Sequence, residues 1–300
     1  MRRNPTLLSL LALLAAPAAA NDSSASLDGS NLGFEKSENI EMLSEDLRIS
    51  YKETSVRYEF RNSGAGEIRT VVAFPLPRMH ASTPDHGLGE ISLWEKAPSH
   101  RSLANPFAFR VRVDGVDVVP QLALVTAEID DDAPVELNTR KHVFKDASRN
   151  IPLDGTEGRW PTEYRYFWHQ AFPPGKIVTV EHSYRTVPGN PRASYCMEPD
   201  FQRALEKRKA EILATESEEK RGRWLHYTGQ VHVGYILKTG ANWKGPIRKF
   251  RLTIDKAHPK DLVSTCFKGL KKKSATRFVA ELTDFVPTED LNILLVRHEY

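Results

Sequence analysis

Cysteine is nearly absent: the 300-residue chain has two, Cys196 and Cys266. They allow a single intramolecular pairing, and once joined they leave no thiolate to act as a nucleophile. A large excess of charge of one sign is also missing. Forty-two Lys and Arg stand against 39 Asp and Glu, a balance that gives no overall field to draw nucleic acid or an anionic membrane. Several catalytic signatures do not occur: there is no G-x-S-x-G elbow, no G-x-x-x-x-G-K-[ST] phosphate loop and no H-E-x-x-H zinc helix. His80, Asp85 and His86 share one irregular segment without the spacing of a zinc site. Asp130-Asp131-Asp132 lacks the glycine and distal glutamate of a calcium loop. No metal and no cofactor are therefore expected. Apolar runs are short throughout, so no segment is long enough to span a bilayer.

What is present begins at the N-terminus. Arg2 and Arg3 precede the apolar run 7–16 and the small-residue end Pro17-Ala18-Ala19-Ala20, the pattern of a cleavable secretory leader. Cleavage is expected between Ala20 and Asn21, delivering the mature chain to the periplasm. Without the two leader arginines its formal charge falls from +3 to +1. In that oxidising compartment Cys196 and Cys266 are expected to form a disulfide, with two buried free thiols as the alternative.

Nineteen prolines argue against a helical protein. Leu47, Ile49 and Tyr51 alternate with polar residues, as do Val56, Tyr58 and Phe60. After Asn62-Ser63-Gly64-Ala65-Gly66 the apolar pattern returns at Ile68, Val71, Val72 and Phe74. Period-two runs flanking a Gly/Asn/Ser cluster predict a hairpin. Phe107, Phe109, Val111 and Val113, then Asp114-Gly115, then Val116 and Val118, predict a second. Tyr164, Tyr166 and Trp168 share one face of a later strand, Phe167 and His169 the other, and Pro173-Pro174-Gly175 leads to Ile177–Tyr184 in another turn-linked pair. The period becomes helical once, between Asp200 as N-cap and Gly222 as stop. Strands resume at Val231, Phe250, Phe278 and Leu291. The pattern predicts a mainly β chain of β-sandwich architecture, two packed β subdomains with one amphipathic surface helix. The expected division is a leader, 1–20, an N-terminal β-sandwich region, 21–190, and a C-terminal helix plus antiparallel β region, 191–300. Pro188-Gly189-Asn190-Pro191 marks the boundary.

Several of these stretches resemble a known family. Asn21-Asp22-Ser23-Ser24-Ala25, Glu45-Asp46-Leu47, Val56-x-Tyr58-x-Phe60-x-Asn62, Phe167-Trp168-x-Gln170-x-Phe172-Pro173, His182-x-Tyr184 and Thr239-Gly240-x-Asn242-Trp243-x-Gly245-Pro246 are similar to the bacterial exported family catalogued as domain of unknown function 4424. That resemblance implies an exported β-rich protein and carries no established activity. Residues 55–120, with their Phe74-Pro75-Leu76-Pro77 ending, also resemble the sandwich of vault and inter-alpha-trypsin (VIT) domains, an analogy of fold alone.

No residue stands out as catalytic. Trp160, Tyr164, Tyr166 and Trp168, with Asn242 and Trp243, are the candidate binding residues, because rigid aromatics stack on glycan rings and anchor protein partners. The competing reading is a central strand buried on both faces, with Trp243 plugging the end of the sandwich. Three function classes follow. The first is a non-enzymatic binding or assembly module for an envelope protein or glycan. The second is a hydrolase of envelope polymers using carboxylates in 79–106 or 126–160, and the third a structural accessory subunit.

Overall fold

Period-two alternation folds as strands in the computed structural model, which describes residues 22–28, 31–77, 79–80, 105, 107–127, 141–144, 161–186, 196–215, 217–218 and 230–298. The expected leader and its cleavage residues Ala20 and Asn21 lie outside the described residues, as do Trp160, Asp85, His86, Asp130-Asp131-Asp132 and Gly222. The N-terminal strands are β1 (Ser23–Asp28), β2 (Asn31–Glu35), β3 (Ile40–Ser50), β4 (Glu53–Asn62), β5 (Ile68–Pro75) and β6 (Met79–His80). The middle of the chain gives β7 (Arg110–Val113), β8 (Val116–Val118), β9 (Gln121–Ala127), β10 (Lys141–Phe144), β11 (Pro161–Phe172) and β12 (Ile177–Arg185). Helix α1 (Pro199–Thr215) follows, then β13 (Gln230–Tyr235), a 3-10 turn (Lys238–Asn242), β14 (Ile247–Asp255), β15 (Leu262–Thr265), β16 (Lys271–Lys272), β17 (Arg277–Phe285) and β18 (Leu291–Val296).

The strands form an eight-stranded sheet ordered β16-β17-β14-β3-β4-β12-β7-β8, a second sheet ordered β10-β9-β11-β5-β1-β2 with β6 beside β11, and a three-stranded sheet β13-β18-β15. One buried cluster joins all three. Tyr58, Phe60, Val180 and Leu252 come from the long sheet, Phe74, Tyr166 and Trp168 from the second, and Val233, Ile293 and Leu295 from the third. The chain is thus mainly β with sandwich architecture. The long sheet's other face carries cross-strand ion pairs, Arg48–Asp255 at 2.8 Å and Arg61–Glu41 at 2.7 Å, so its alternation separates a dry face from a wet one.

Two turns differ from expectation. Asn62–Gly66 does not close a hairpin: β4 pairs with β3 and β12, while β5 pairs with β11 and β1. The turn carries the chain from one sheet to the other, and Pro173-Pro174-Gly175 does the same between β11 and β12. Asn62 fastens both corners. Its fully buried amide donates to Gly66 O and Phe172 O, each at 2.8 Å, and accepts from Gly64 N at 2.8 Å. The β7–β8 hairpin forms as predicted, with Asp114 and Gly115 at φ 49° and 80°, the positive pair that a two-residue hairpin turn needs.

Helix α1 begins with Pro199 in its first turn, one residue before Asp200. Asp200 therefore stands inside the helix rather than capping it, and proline is pre-set for that first position. Phe201 packs with Leu294 and Val296 on the three-stranded sheet, which places the helix across the outside of that sheet. Strand β14 lies parallel to β3, from Lys249 opposite Ser44 to Asp255 opposite Ser50. A single sheet therefore crosses the expected 190/191 boundary.

Candidate functional site

Strand β11 sits between β9 and β5. Tyr166 and Trp168 point into the main core and Phe167 into a smaller cluster on the opposite face. Tyr166 is 1% exposed and Trp168 3%; Tyr164 is partly buried against Phe107, with ring centroids 5.0 Å apart. Trp243 is also in the core, against Phe60, and its Nε1 donates to Asp22 O at 2.6 Å. Asn242 Nδ2 donates to Ser23 Oγ at 2.9 Å. These candidates form two places, the middle of β11 and the end where β1 meets the 3-10 turn, rather than one exposed patch.

A buried polar centre lies between them. Strand β3 shifts register between Met42 and Ser44. Before the shift Ile40 and Met42 face inward; after it Glu45, Leu47 and Ile49 do. This bulge turns the Glu45 carboxylate into the core, where Tyr235 Oη donates to it at 3.3 Å and pairs with Tyr58 Oη at 2.9 Å. Bulges commonly re-aim a side chain in this way. Close by, His182 Nε2 lies 3.0 Å from the Asp22 carboxylate, both side chains fully buried. Burial raises the Asp22 carboxyl above its usual range, against the opposing pull of His182. The imidazole is enclosed by Phe74, Phe109 and Trp168, with centroids 5.0–5.2 Å away. Burial also drives the Tyr58 and Tyr235 hydroxyls far above the usual phenol value. A carboxylate–imidazole pair is a catalytic element when substrate can reach it. This one is sealed inside the sandwich, and it ties Asp22, just ahead of β1, to β12.

At the surface, three chain segments converge on a cavity of about 230 Å³ lined by Tyr51, Ala257, His258, Asp261, Arg297 and His298. Tyr51 comes from the β3–β4 turn, Ala257 to Asp261 from the β14–β15 connection, and Arg297-His298 from the end of β18. Ala257 adopts φ 61°, a left-handed conformation that costs a non-glycine residue strain and gathers at functional sites. The Arg297 guanidinium lies 4.8 Å from the Tyr51 ring centre. The His258 and His298 rings stack 4.7 Å apart at 11°. The Asp261 carboxylate accepts from the backbone N–H groups of His298 at 2.7 Å and His258 at 3.2 Å, so it braces both histidine segments. Behind His298, Arg208 of α1 donates to its Nδ1, and to its backbone oxygen at 2.6 Å.

The Cys196–Cys266 disulfide forms, across 70 residues. Ser264 Oγ also donates to Cys196 O, so the start of α1 is held to the three-stranded sheet, and with it the helix that supports the cavity. Among the described residues no group of three or more His, Cys, Asp or Glu is arranged to hold a metal ion, and no helix is long and apolar enough to cross a membrane.

The cavity residues carried no signal in the linear pattern, since each occurs singly or in pairs and they come together only through two long-range pairings, β3 with β14 and β15 with β18. His182 and Glu45 did fall within family-like stretches, but their pairings with Asp22 and Tyr235 span 160 and 190 residues.

The model for the family described as Domain of unknown function (DUF4424) matches residues 20–294. The chain belongs to the DUF4424 family. No curated protein matches this family member. A crystallised candidate nutrient-binding protein of Legionella pneumophila is similar at 18% identity with a TM-score of 0.49, over 93% of this chain and 70% of that one. An M1 zinc metallopeptidase of Deinococcus radiodurans is similar at 10% identity and a TM-score of 0.31. This DUF4424 chain spans 44% of the peptidase's length.

Proposed function

We propose that this protein is an exported, non-enzymatic binding module of the bacterial envelope, taking a protein or a glycan as its partner. The leader-like residues 1–20 support export, and the disulfide fits an oxidising compartment. The observation that carries the binding reading is the composition of the surface cavity. Its titratable groups are two imidazoles, a guanidinium, the Tyr51 phenol and a carboxylate already occupied by two backbone N–H donors. That set can hold a ligand but pairs no nucleophile with a base. The hydrolase reading rests on carboxylates in segments that lie largely outside the described residues; no geometry favours it.

Fractionation of cells producing the full chain tests the first half. The expected result is a periplasmic protein whose N-terminus is Asn21; an intact Met1 form retained in the cytosol would overturn it. Affinity capture from envelope extract tests the second half, with a saturable partner or glycan expected and background-level recovery counting against the proposal.

A further inference from the structure

The surface cavity has a donor set that goes beyond a generic binding surface. An arginine and a backbone N–H can only donate hydrogen bonds. Arg208 donates to Nδ1 of His298, and Lys260 N donates to Nδ1 of His258 at 3.2 Å. In both rings Nδ1 is therefore the acceptor, and the neutral imidazole carries its proton on Nε2. Of the two stacked rings, exposed His258 presents its Nε2–H toward solvent-accessible space, and His298 packs against it. Beside them Arg297 lies against Tyr51, and among the described residues it has no carboxylate partner. Asp261, the acid in the cavity wall, is engaged by the N–H groups of His258 and His298. Lys256, buried behind the same turn, donates to Pro259 O at 2.6 Å and to Asp261 O, holding the 257–261 loop in its strained form.

A cavity rich in N–H donors, with its single carboxylate already engaged, is complementary to an oxyanion. We propose that the cavity formed by Tyr51, His258, Arg297 and His298 is a binding site for a small oxyanion, a carboxylate or phosphate group either free or carried on a larger molecule. Arg297 supplies a two-pronged contact and His258 a directional donor, with the His298 ring stacked beneath it. The site is independent of whether the envelope reading holds, because it is defined by purified protein and simple ions.

The test is a titration of the oxidised mature protein with inorganic phosphate and, separately, with acetate, following the imidazole nitrogens of His258 and His298 by NMR. Saturable shifts of both rings with either ion are expected, and the tighter ion identifies the preferred oxyanion. Arg297→Gln should weaken that binding about tenfold or more, the usual size of a lost charge-assisted hydrogen bond. Should Arg297→Gln fail to fold, His258→Gln, an exposed substitution, should still weaken binding severalfold. Lys176→Gln, an exposed change in the β11–β12 turn at the end of β4 away from Tyr51, should leave it unaltered. Absence of saturable shifts with both ions would overturn the proposal. So would equal weakening by Lys176→Gln, or wild-type affinity in both cavity variants. A membrane-linked or sugar-linked phosphate that binds more tightly than free phosphate supports a carried group; equal affinity supports the free ion.

Discussion

Trp243 separates two roles that an aromatic residue in a strand-rich protein can play. It is 1% exposed, its ring centre lies 4.7 Å from that of Phe60 and 6.2 Å from that of Phe172, and its Nε1 donates to Asp22 O at 2.6 Å. Truncating a buried tryptophan to alanine costs about 3–5 kcal/mol. The buried Asp22 carbonyl left without its donor adds about 1–3 kcal/mol. The two contributions overlap, so about 5 kcal/mol is expected for Trp243→Ala, a large part of the roughly 5–15 kcal/mol that holds a typical domain together. Trp243→Phe keeps most of the packing and loses the hydrogen bond, with an expected cost of about 1–3 kcal/mol. Urea unfolding followed by far-UV circular dichroism measures both, read as midpoint shifts at constant slope. A Trp243→Ala protein within about 1 kcal/mol of wild type would rule out the core role and return Trp243 to the surface as a recognition residue.

Other outcomes follow from the same geometry. Asn62→Asp keeps the acceptor for Gly64 N but turns a carboxylate oxygen toward Gly66 O and Phe172 O. It should therefore destabilise more than Asn62→Ala, and an inverted order in urea unfolding would contradict the corner model. Reduction of the Cys196–Cys266 bridge, which closes 70 residues, should lower stability by about 4 kcal/mol on the chain-entropy model; an unchanged midpoint in reductant would count against it. Burial acts to raise the Asp255 carboxyl, but hydrogen bonds from Ala257 N, Arg277 and Arg48 outweigh it and hold the group below its usual 3.8. Its contribution is therefore complete above that value and lost as pH falls through the lower folded-state value. Asp255→Asn should cost stability at neutral pH and flatten the acid limb below about pH 4, as thermal melts across pH will show; an identical acid limb would argue against the assignment.

The sequence made the long alternating strands and the presence of the helix legible, because side-chain alternation and helical spacing are local properties; β1, β2, β9, β10 and β15 were not foreseen, and the helix starts at Pro199, ahead of the expected cap Asp200. It did not reveal which sheet each strand joins. Asn62–Gly66 has hairpin composition, and a hairpin and an inter-sheet corner both call for small, polar turn residues. Only the long-range pairing of β4 with β12 and of β5 with β11 decides between them. The inward turn of Glu45 was hidden for a similar reason, since a one-residue bulge changes the facing of every residue after it. The aromatics of β11 were visible and both readings of them were open; their burial follows from the main core packed on one face of the strand and the smaller cluster on the other. The cavity could not be read at all. Tyr51 and Arg297 are 246 positions apart by their numbers, and the pairings of β3 with β14 and of β15 with β18 are what bring the surrounding segments together.

The proposed ligand contact lies in the cavity at Arg297, not at the buried aromatics or the sealed His182–Asp22 pair. A photo-crosslinking residue in place of exposed Lys260, within the cavity's 257–261 loop, tests it most directly in living cells, with the same residue in place of Val119, 92% exposed, as the control. A discrete adduct in the envelope fraction is expected from position 260, lost when Arg297→Gln is added, and none from position 119. Adducts from neither position, or an adduct from position 260 that Arg297→Gln leaves intact, would contradict it.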